Sequence, residues 1–549
     1  MRSVYIVMVL ILLTSVGAFS QTPDEVVLPD YNASGNYLND QIMGDTTSLG
    51  TRKNPNRTYV LQKNGMYLIA ASIRNNGWTL RIKAENVPGK RPVVYAFKNS
   101  VTGVYSSQQF DVRGNFWIKN IALVGWSTIA EEISQMPPYI INVNGVGYTV
   151  EVDSCVLMGV NGVLLRVPSA THLVSATNSI FTQSGNLFNT DIGNGRPFDF
   201  RNTTIDTVII RNCTFTDGTD RVVRHYNATG PIKEFVFDHN TVLNYLSTHG
   251  NLALGRVGRK VTITNNLFVD NFVLGRDSTD DTRLGEFGNA NEKETNGKNR
   301  MTMVSSVPDS AGQVDPTVYI VRNNYYGVTP AVQAWYDSKS ALGIGNLIPL
   351  TYHISKKLGA DSLIAFRKDT IAFTLSPKHL VPFATWYYDP AGANKKKANT
   401  GFTADMDMQR SDWKYYVDTM KLTYPKTRPA YTGADGGQPA GSLMWWNLTL
   451  LGVNASNGQV VPNEFSLEQN YPNPFNPSTQ LGYRIGREGL VSLKIYDLLG
   501  REIATLVNKV LQPGSYTAQW NASGFSSGVY FYKIEAGQFV STKKMFLVK

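Results

Sequence analysis

Basic side chains recur in the middle of the chain with a spacing that could build one site. Arg224 and His225 are adjacent, and two further arginines follow within about fifty residues. A guanidinium can pair with a substrate carboxylate and stabilise the charge that forms when the neighbouring proton is removed. Histidine can take or return that proton near neutral pH. We therefore predict a site for an acidic substrate, with Arg224 and His225 in catalytic roles. The predicted substrate-binding residues are Arg256, Arg276, Asp191 and Tyr226.

Hydrolysis by a pair of carboxylates is an alternative chemistry for residues nearby. Asp217 and Asp220 could form the carboxylate pair of a glycoside hydrolase, although acids in segment 216–220 also commonly form a turn. Segment 277–313 is long for a loop and contains several acids, so it could bind calcium. Because it lacks the regular oxygen-ligand spacing of a calcium loop, we leave the metal unknown. The chain has no phosphate-binding loop, HExxH or CxxC motif, which excludes nucleotide, zinc-protease and redox chemistry.

The elements that would position these residues are short strands in a repeat. One pattern occurs seven times: apolar, any, apolar, any, polar, Asn or small, any, apolar. The copies are 116–123, 150–157, 174–181, 208–215, 235–242, 261–268 and 319–326. The first polar positions are 24 to 34 residues apart, except for a last gap of 58, which is two coils or one coil with an insertion. This spacing predicts the coils of a parallel β-helix.

Each copy places a turn residue after its first strand. Asparagine, the commonest residue there, tolerates left-handed backbone angles, so stacked coils should align these side chains. Second strands are predicted at 162–167, 186–191, 221–226, 251–256 and 271–276. Aligning them gives one column with Arg166, Thr190, His225, Gly255 and Gly275, and the next with Val167, Asp191, Tyr226, Arg256 and Arg276. This alignment is the reason for expecting the site residues to meet.

The same alignment makes a prediction about the two cysteines. Cys155 and Cys213 fall at one position of two coils that are separated by the coil of Ser179. Two strand spacings are roughly 9 to 10 Å, which exceeds the roughly 7 Å limit for a disulfide. Both thiols are therefore predicted to be free.

The N-terminus and the composition limit the class of protein. Residues 1–21 combine Arg2, an apolar run and small residues, which predicts a signal peptide. The run is too short for a stable membrane span, and no other stretch is long enough. The formal net charge is +10, which favours anionic partners outside the cell, although the charge could also be spread over the surface. No basic run with interleaved aromatics indicates nucleic acid.

From about residue 463 the sequence changes to short segments of alternating apolar and polar residues, which predict short strands. The proline-rich segment 471–477, the strand 491–497 with its turn 499–501, and the segment 527–532 closely resemble the type A sorting domain of the type IX secretion system. That resemblance implies an Ig-like β-sandwich at 463–549, preceded by a linker at 449–462. It also implies type IX secretion machinery as a partner and an extracellular or outer-surface location for a bacterial protein.

The repeat itself resembles right-handed β-helix proteins of the pectate-lyase-like superfamily, as do the segments 64–67 and 80–90. The expected fold class is all-β, with an N-terminal segment at 22–54, a right-handed parallel β-helix at 55–345 and a closing segment at 346–448. Relatives on this fold cleave acidic polysaccharides with basic residues, often with calcium. The resemblance thus implies a secreted protein that binds or cleaves extracellular polysaccharide, including lyase action on a uronic-acid glycan. A non-catalytic adhesin or glycan-binding surface protein is the alternative, because no complete lyase signature is present.

Overall fold

A computed structural model of the chain describes most residues between 25 and 548. The described ranges are 25–125, 136–185, 195–201, 203–225, 230–247, 250–271, 302–306, 317–340, 348–389, 420–448, 450, 466–467, 470, 473–485, 489–511, 514–537 and 539–548. The chain divides into two units, residues 1–449 and 450–549.

The first unit contains three parallel sheets, which confirms the predicted β-helix. Sheet 1 consists of Glu25–Leu28, Thr58–Leu61, Leu80–Ala84, Phe116–Lys119, Thr149–Asp153, Thr171–Thr177, Ile205–Arg211, Ile232–Asp238, Val257–Thr264 and Val318–Arg322. Sheet 2 consists of Met66–Ile69, Val93–Ala96, Ala122–Val124, Val156–Val160, Ile180–Ser184, Thr214–Gly218, Thr241–Tyr245, Leu267–Asn271, Asn324–Gly327 and Phe366–Lys368. Sheet 3 consists of Ile73–Arg74, Gln108–Val112, Tyr139–Val143, Val163–Arg166, Arg196–Asp199, Val223–Arg224, Leu252–Ala253 and Val304–Ser305.

Successive coils pass from sheet 1 through sheet 2 to sheet 3. The turn between sheets 1 and 2 is a single left-handed residue in all seven predicted copies, with φ between 50° and 61°. These residues are Asn120, Ser154, Asn178, Asn212, His239, Asn265 and Asn323. Asparagine suits this position because its short polar side chain hydrogen-bonds locally. The long last gap is one coil with an insertion, since Val257–Thr264 pairs directly with Val318–Arg322.

The interior of the solenoid is filled by inward side chains stacked from coil to coil. Phe181, Phe215 and Phe268 of sheet 2 form a continuous stack with Phe237 of sheet 1, with successive ring centroids 5.2 to 6.1 Å apart. Burial of such columns is the main source of stability for a solenoid. Cys155 and Cys213 are buried and free, as predicted.

An amide ladder continues the column that contains the two cysteines. The Asn240 Nδ2 donates to Asn266 Oδ1 at 3.1 Å, and the Asn266 Nδ2 donates to Asn324 Oδ1 at 2.8 Å. Each of these asparagines is buried, so the ladder satisfies polar groups that would otherwise be costly inside the protein.

Short helices flank the coils. They are Tyr31–Ser34, Leu38–Met43, Pro330–Ser338, Tyr352–Leu358, Ser362–Ala365 and Val381–Tyr387. In the part of the chain that the structure describes, none has the length and apolar character needed to cross a membrane.

The segment 420–448 lies against the outer side of sheet 2. Leu443 N donates to Asn212 Oδ1 at 2.6 Å, and Trp445 Nε1 donates to Thr214 Oγ1 at 2.8 Å. Met420 and Leu422 lie in the apolar clusters that cover this sheet. We call this segment the strap.

The second unit is a β-sandwich, as the predicted fold class requires. One antiparallel sheet contains Ser466–Leu467, Ser478–Ile485 and Gly514–Asn521. The other contains Gly489–Tyr496, Glu502–Leu511, Gly528–Ala536 and Phe539–Leu547. Leu481, Ile495, Tyr532 and Met545 belong to its apolar core.

Candidate functional site

The outer face of sheet 3 carries a row of arginines and aspartates. Ile73, Phe110, Ile141, Leu165, Phe198 and Val223 form one inward column of this sheet. Side chains alternate along a strand, so the neighbouring positions face outward. They form the column Arg74, Asp111, Asn142, Arg166, Asp199, Arg224, Ala253 and Ser305.

Further arginines stand at the ends of these strands. We use the name arginine track for the whole set, which is Arg74, Arg113, Arg166, Arg196, Arg201, Arg221, Arg224 and Arg256. The described strands of sheet 3 and the residues beside them contain these eight arginines and the three aspartates Asp111, Asp199 and Asp220. Five of the eight are at least partly exposed, whereas the side chains of Arg196, Arg221 and Arg224 are at most 13% exposed and pair with aspartates. Accessible cations of this kind attract polyanions.

Asp111 organises one end of the arginine track. Its buried carboxylate accepts hydrogen bonds from Arg74 Nε at 2.6 Å, Arg113 Nε at 3.2 Å and Asn144 Nδ2 at 2.7 Å. Burial by itself would raise the pKa of Asp111, but these hydrogen bonds hold the pKa below its ordinary value. The side chains of Arg74 and Arg113 remain 49% and 45% exposed. Asp111 therefore holds two accessible cations at a fixed place.

Asp199 organises a second group of arginines three coils further on. Arg224 donates to it through Nε at 2.9 Å and Nη2 at 2.6 Å. Arg196 Nη1 and Arg201 Nη1 lie 3.7 and 3.9 Å from its Oδ2. Burial opposes ionisation of Asp199, but the Arg224 hydrogen bonds and the neighbouring positive charges lower its pKa. Arg201 is the accessible member, with 46% of its side chain exposed.

Asp220 and Tyr139 fix other members of the arginine track. Asp220 is buried and accepts from Arg196 Nε at 2.6 Å and from Arg221 Nε at 3.1 Å. The Arg166 guanidinium lies 4.9 Å from the centre of the Tyr139 ring, within the range of a cation–π contact. These contacts keep the guanidinium groups in defined positions along the sheet.

The structure brings two of the predicted site residues to this surface. Arg224 lies in the outward column, and Arg256 is exposed in the turn after the next strand, Leu252–Ala253. Asp191, Tyr226 and Arg276 lie outside the described residues. Their predicted roles in substrate binding stay predictions.

His225 is next to Arg224 but is buried. Its Nδ1 lies 2.9 Å from the Leu254 carbonyl oxygen, and its Nε2 lies 2.9 Å from the Thr203 carbonyl oxygen. Burial lowers the pKa of His225, while the two carbonyl groups favour its protonated form. Both ring nitrogens are therefore engaged by the backbone in this structure, and the predicted catalytic role stays a prediction.

The predicted alignment of the second strands was wrong in its register. Asp199 lies beside Arg166, and Arg224 rather than His225 continues that column. The reason is that coils carry insertions of different length between sheets 2 and 3, so the strand after 180–184 begins at Arg196. The strand after 267–271 likewise begins at Val304.

The structure also places the two carboxylates considered for hydrolase chemistry, and it describes part of the segment considered for calcium binding. Asp217 is a buried left-handed residue at the end of a sheet 2 strand and accepts from Asn244 Nδ2 at 3.1 Å. Asp220 is engaged by the two arginines named above. Within the described ranges, no group of three or more His, Cys, Asp or Glu side chains is arranged to hold a metal ion. The segment proposed for calcium, 277–313, is described only at 302–306.

Most of the arginine track was missed in the sequence. A usable signal was present, because Asp111-Val112-Arg113 and Asp199-Phe200-Arg201 share the pattern Asp, apolar, Arg with the apolar residue inward. In a strand this pattern places both charged side chains on one outer face. Searching the coils for the pattern would have found both carboxylates.

Comparison with protein families gives one match. Residues 469–549 match the family described as the secretion system C-terminal sorting domain. No curated protein and no solved structure matches the chain. The β-sandwich is thus the sorting tail of a protein that the type IX secretion system exports to the cell surface or the extracellular space.

Proposed function

We propose that the β-helix binds an extracellular acidic polysaccharide along the arginine track. The observation that carries this proposal is the pair of buried carboxylates, Asp111 and Asp199, that hold half-exposed arginines in place. A guanidinium matches a carboxylate or sulfate group bidentately. Prior ordering reduces the entropy lost when a ligand binds.

The spacing of these two centres suits an extended ligand. Asp111 and Asp199 are separated by three strand spacings, which is roughly 14 Å. A polymer with regularly repeated acidic groups can contact both centres at once, whereas a single sugar cannot. Simultaneous contacts raise the overall affinity without any new type of interaction.

Binding without cleavage, as in an adhesin or glycan-binding surface protein, is the form of the proposal that the contacts favour. Lyase action requires a group that removes the proton next to the uronate carboxylate. His225 is the predicted group, but its two ring nitrogens face backbone carbonyls and 2% of the residue is exposed. The sorting tail supports the proposal only as far as location, because export to the cell surface or the extracellular space is where such glycans occur.

Two measurements separate binding from cleavage: retardation of the protein by a polymer in a gel, and release of cleavage products from that polymer. The full chain is to be run through native gels that contain pectate, alginate, chondroitin sulfate or a neutral glucan. We expect retardation by at least one acidic polymer, with relief by salt, and none by the neutral glucan. Equal migration in all gels would contradict the proposal. Ultraviolet absorbance of unsaturated uronate products is followed in parallel, and its appearance in the wild type and loss in His225→Ala would establish the lyase instead.

A further inference from the structure

The outer face of sheet 1 contains a groove that is separate from the arginine track. Its volume is about 460 Å³, and it lies over the first coils. The side chains that matter here are Glu25, Arg81, Lys83, Trp117 and Glu151. They come from four strands of one sheet.

Trp117 stands in the middle of one outward column. Arg81 is its neighbour on one side and Glu151 on the other. Phe116 and Ile118 point inward and are fully buried, so the indole of Trp117 faces the groove and is half-buried there. Each neighbour is one strand spacing away, or about 4.8 Å. A flat apolar ring is thus flanked by a cation on one side and a carboxylate on the other.

Arg81 has no partner within the protein as described. It forms no hydrogen bond or ion pair, and its Nη1 is buried. Lys83 contrasts with it, because its Nζ lies 2.5 Å from Glu25 Oε1. An unsatisfied buried donor is unfavourable, and a ligand that accepts from it removes this penalty. The groove therefore offers one cation that is already neutralised and one that is free to bind an anion.

We propose that this groove is a binding site for a single uronate unit of a saccharide. The apolar face of the sugar ring packs on Trp117, its carboxylate accepts hydrogen bonds from Arg81, and its hydroxyl groups donate to the Glu151 carboxylate. Pockets commonly combine an aromatic surface with a few polar groups that fix orientation. The carboxylate is the group that Arg81 selects.

The proposal goes beyond the arginine track, because it concerns another sheet and a ligand of one or two sugars. It shares only the ligand class with the function proposed above. Either site can exist without the other. Their tests are therefore designed to fail separately.

Fluorine NMR on the full chain labelled with 5-fluorotryptophan tests the groove directly. The chain has nine tryptophans, and Trp117→Phe assigns the resonance of Trp117. Titration with digalacturonate is expected to shift this resonance. A neutral galactose disaccharide of the same linkage is expected to bind more weakly. Arg81→Gln is expected to weaken the digalacturonate titration about tenfold or more.

Arg259→Gln is the matched control. Arg259 is an exposed arginine on the same sheet and pairs with Glu234 at 2.8 Å, away from the groove. An unmoved Trp117 resonance at saturating digalacturonate overturns the groove proposal, and so does an equal loss in Arg81→Gln and Arg259→Gln. If acidic polymers still retard these variants in gels, the arginine-track proposal holds. If the Trp117 resonance titrates but no acidic polymer retards the protein in gels, only the groove proposal holds.

Discussion

Arg224 and Asp199 occupy paired positions on adjacent strands of sheet 3 and are joined by two hydrogen bonds, Nε to Oδ1 at 2.9 Å and Nη2 to Oδ2 at 2.6 Å. The pair is largely buried, with 11% and 2% of the side chains exposed. Its geometry links the stability of the β-helix to the position of the arginine track. A change to either residue should affect both.

Asp199→Asn is expected to destabilise the β-helix by about 3 kcal/mol or more, because it leaves buried arginines without their carboxylate. Urea unfolding measures the loss. Asp206→Asn is the control, since Asp206 pairs with His172 and Lys233 on an exposed surface and should contribute less than about 1 kcal/mol. Equal losses in the two variants would show that the Asp199 cluster has no special structural role.

Asp270→Asn is expected to stabilise the protein at neutral pH. Burial raises the pKa of Asp270 to about 6, although Thr329 N and Oγ1 each donate to it at 2.7 Å. The unfolded pKa is about 4, so the wild type should lose stability as pH rises from about 4 to about 6. Asparagine removes this loss, which is about 3 kcal/mol at pH 7, and it suits the φ of 48°.

Urea midpoints at pH 4 and pH 7 measure the effect. The two proteins should be similar at pH 4 and differ at pH 7. An Asp270→Asn protein that is no more stable than the wild type at pH 7 would refute the raised pKa.

The contact between the strap and Asn212 gives a third prediction. Asn212 and Asn120 are both left-handed turn residues, but only Asn212 accepts from Ser442 Oγ at 3.1 Å and Leu443 N at 2.6 Å. Asn212→Ala should therefore cost about 1 to 3 kcal/mol more than Asn120→Ala, because a buried donor on the strap loses its acceptor. Urea unfolding and protease cleavage within 420–448 measure the difference. Equal behaviour would mean that the strap does not depend on Asn212.

The cysteines give a chemical prediction. Burial raises the pKa of both the Cys155 and Cys213 thiols to about 12, so neither should form a reactive thiolate at neutral pH. A thiol reagent should label neither residue quickly in the native protein. It should label both after unfolding without reductant. Rapid native labelling, or no labelling after unfolding, would contradict the free and buried state.

The sequence was informative where one residue defines a turn and less informative where a strand is short. The left-handed positions of Asn178 and Asn212 were predictable, because few residue types tolerate those backbone angles. The strands Val223–Arg224 and Leu252–Ala253 have two residues each, too few for an alternating pattern to locate. Insertions before them then shifted the predicted columns. Pairing of Arg224 with Asp199 depends on that register and could not be read by counting residues.

The groove around Trp117 was within reach of the sequence. Aligning the first strands of the coils, as was done for the second strands, places Arg81, Trp117 and Glu151 in one outward column. The alternating segment 116–119 gives the direction of each side chain. What the sequence could not supply is that Arg81 lacks a partner, because this depends on side-chain packing.

Binding of an acidic polysaccharide by the arginine track is tested most directly by a charge-matched pair of variants. One combines Arg74→Gln, Arg113→Gln and Arg201→Gln, and the other combines Lys119→Gln, Lys233→Gln and Arg259→Gln. All six are half-exposed or exposed cations paired with an acid, and the control residues lie on sheet 1. Both variants lose the same formal charge.

The measurement is the dissociation constant for the acidic polymer that retards the wild type, at several salt concentrations. The arginine track predicts at least about tenfold weaker binding and a shallower salt dependence in the Arg74, Arg113 and Arg201 variant. The control should stay within about threefold of the wild type. Equal weakening in the two variants would show that only net charge matters and would contradict a binding site on sheet 3.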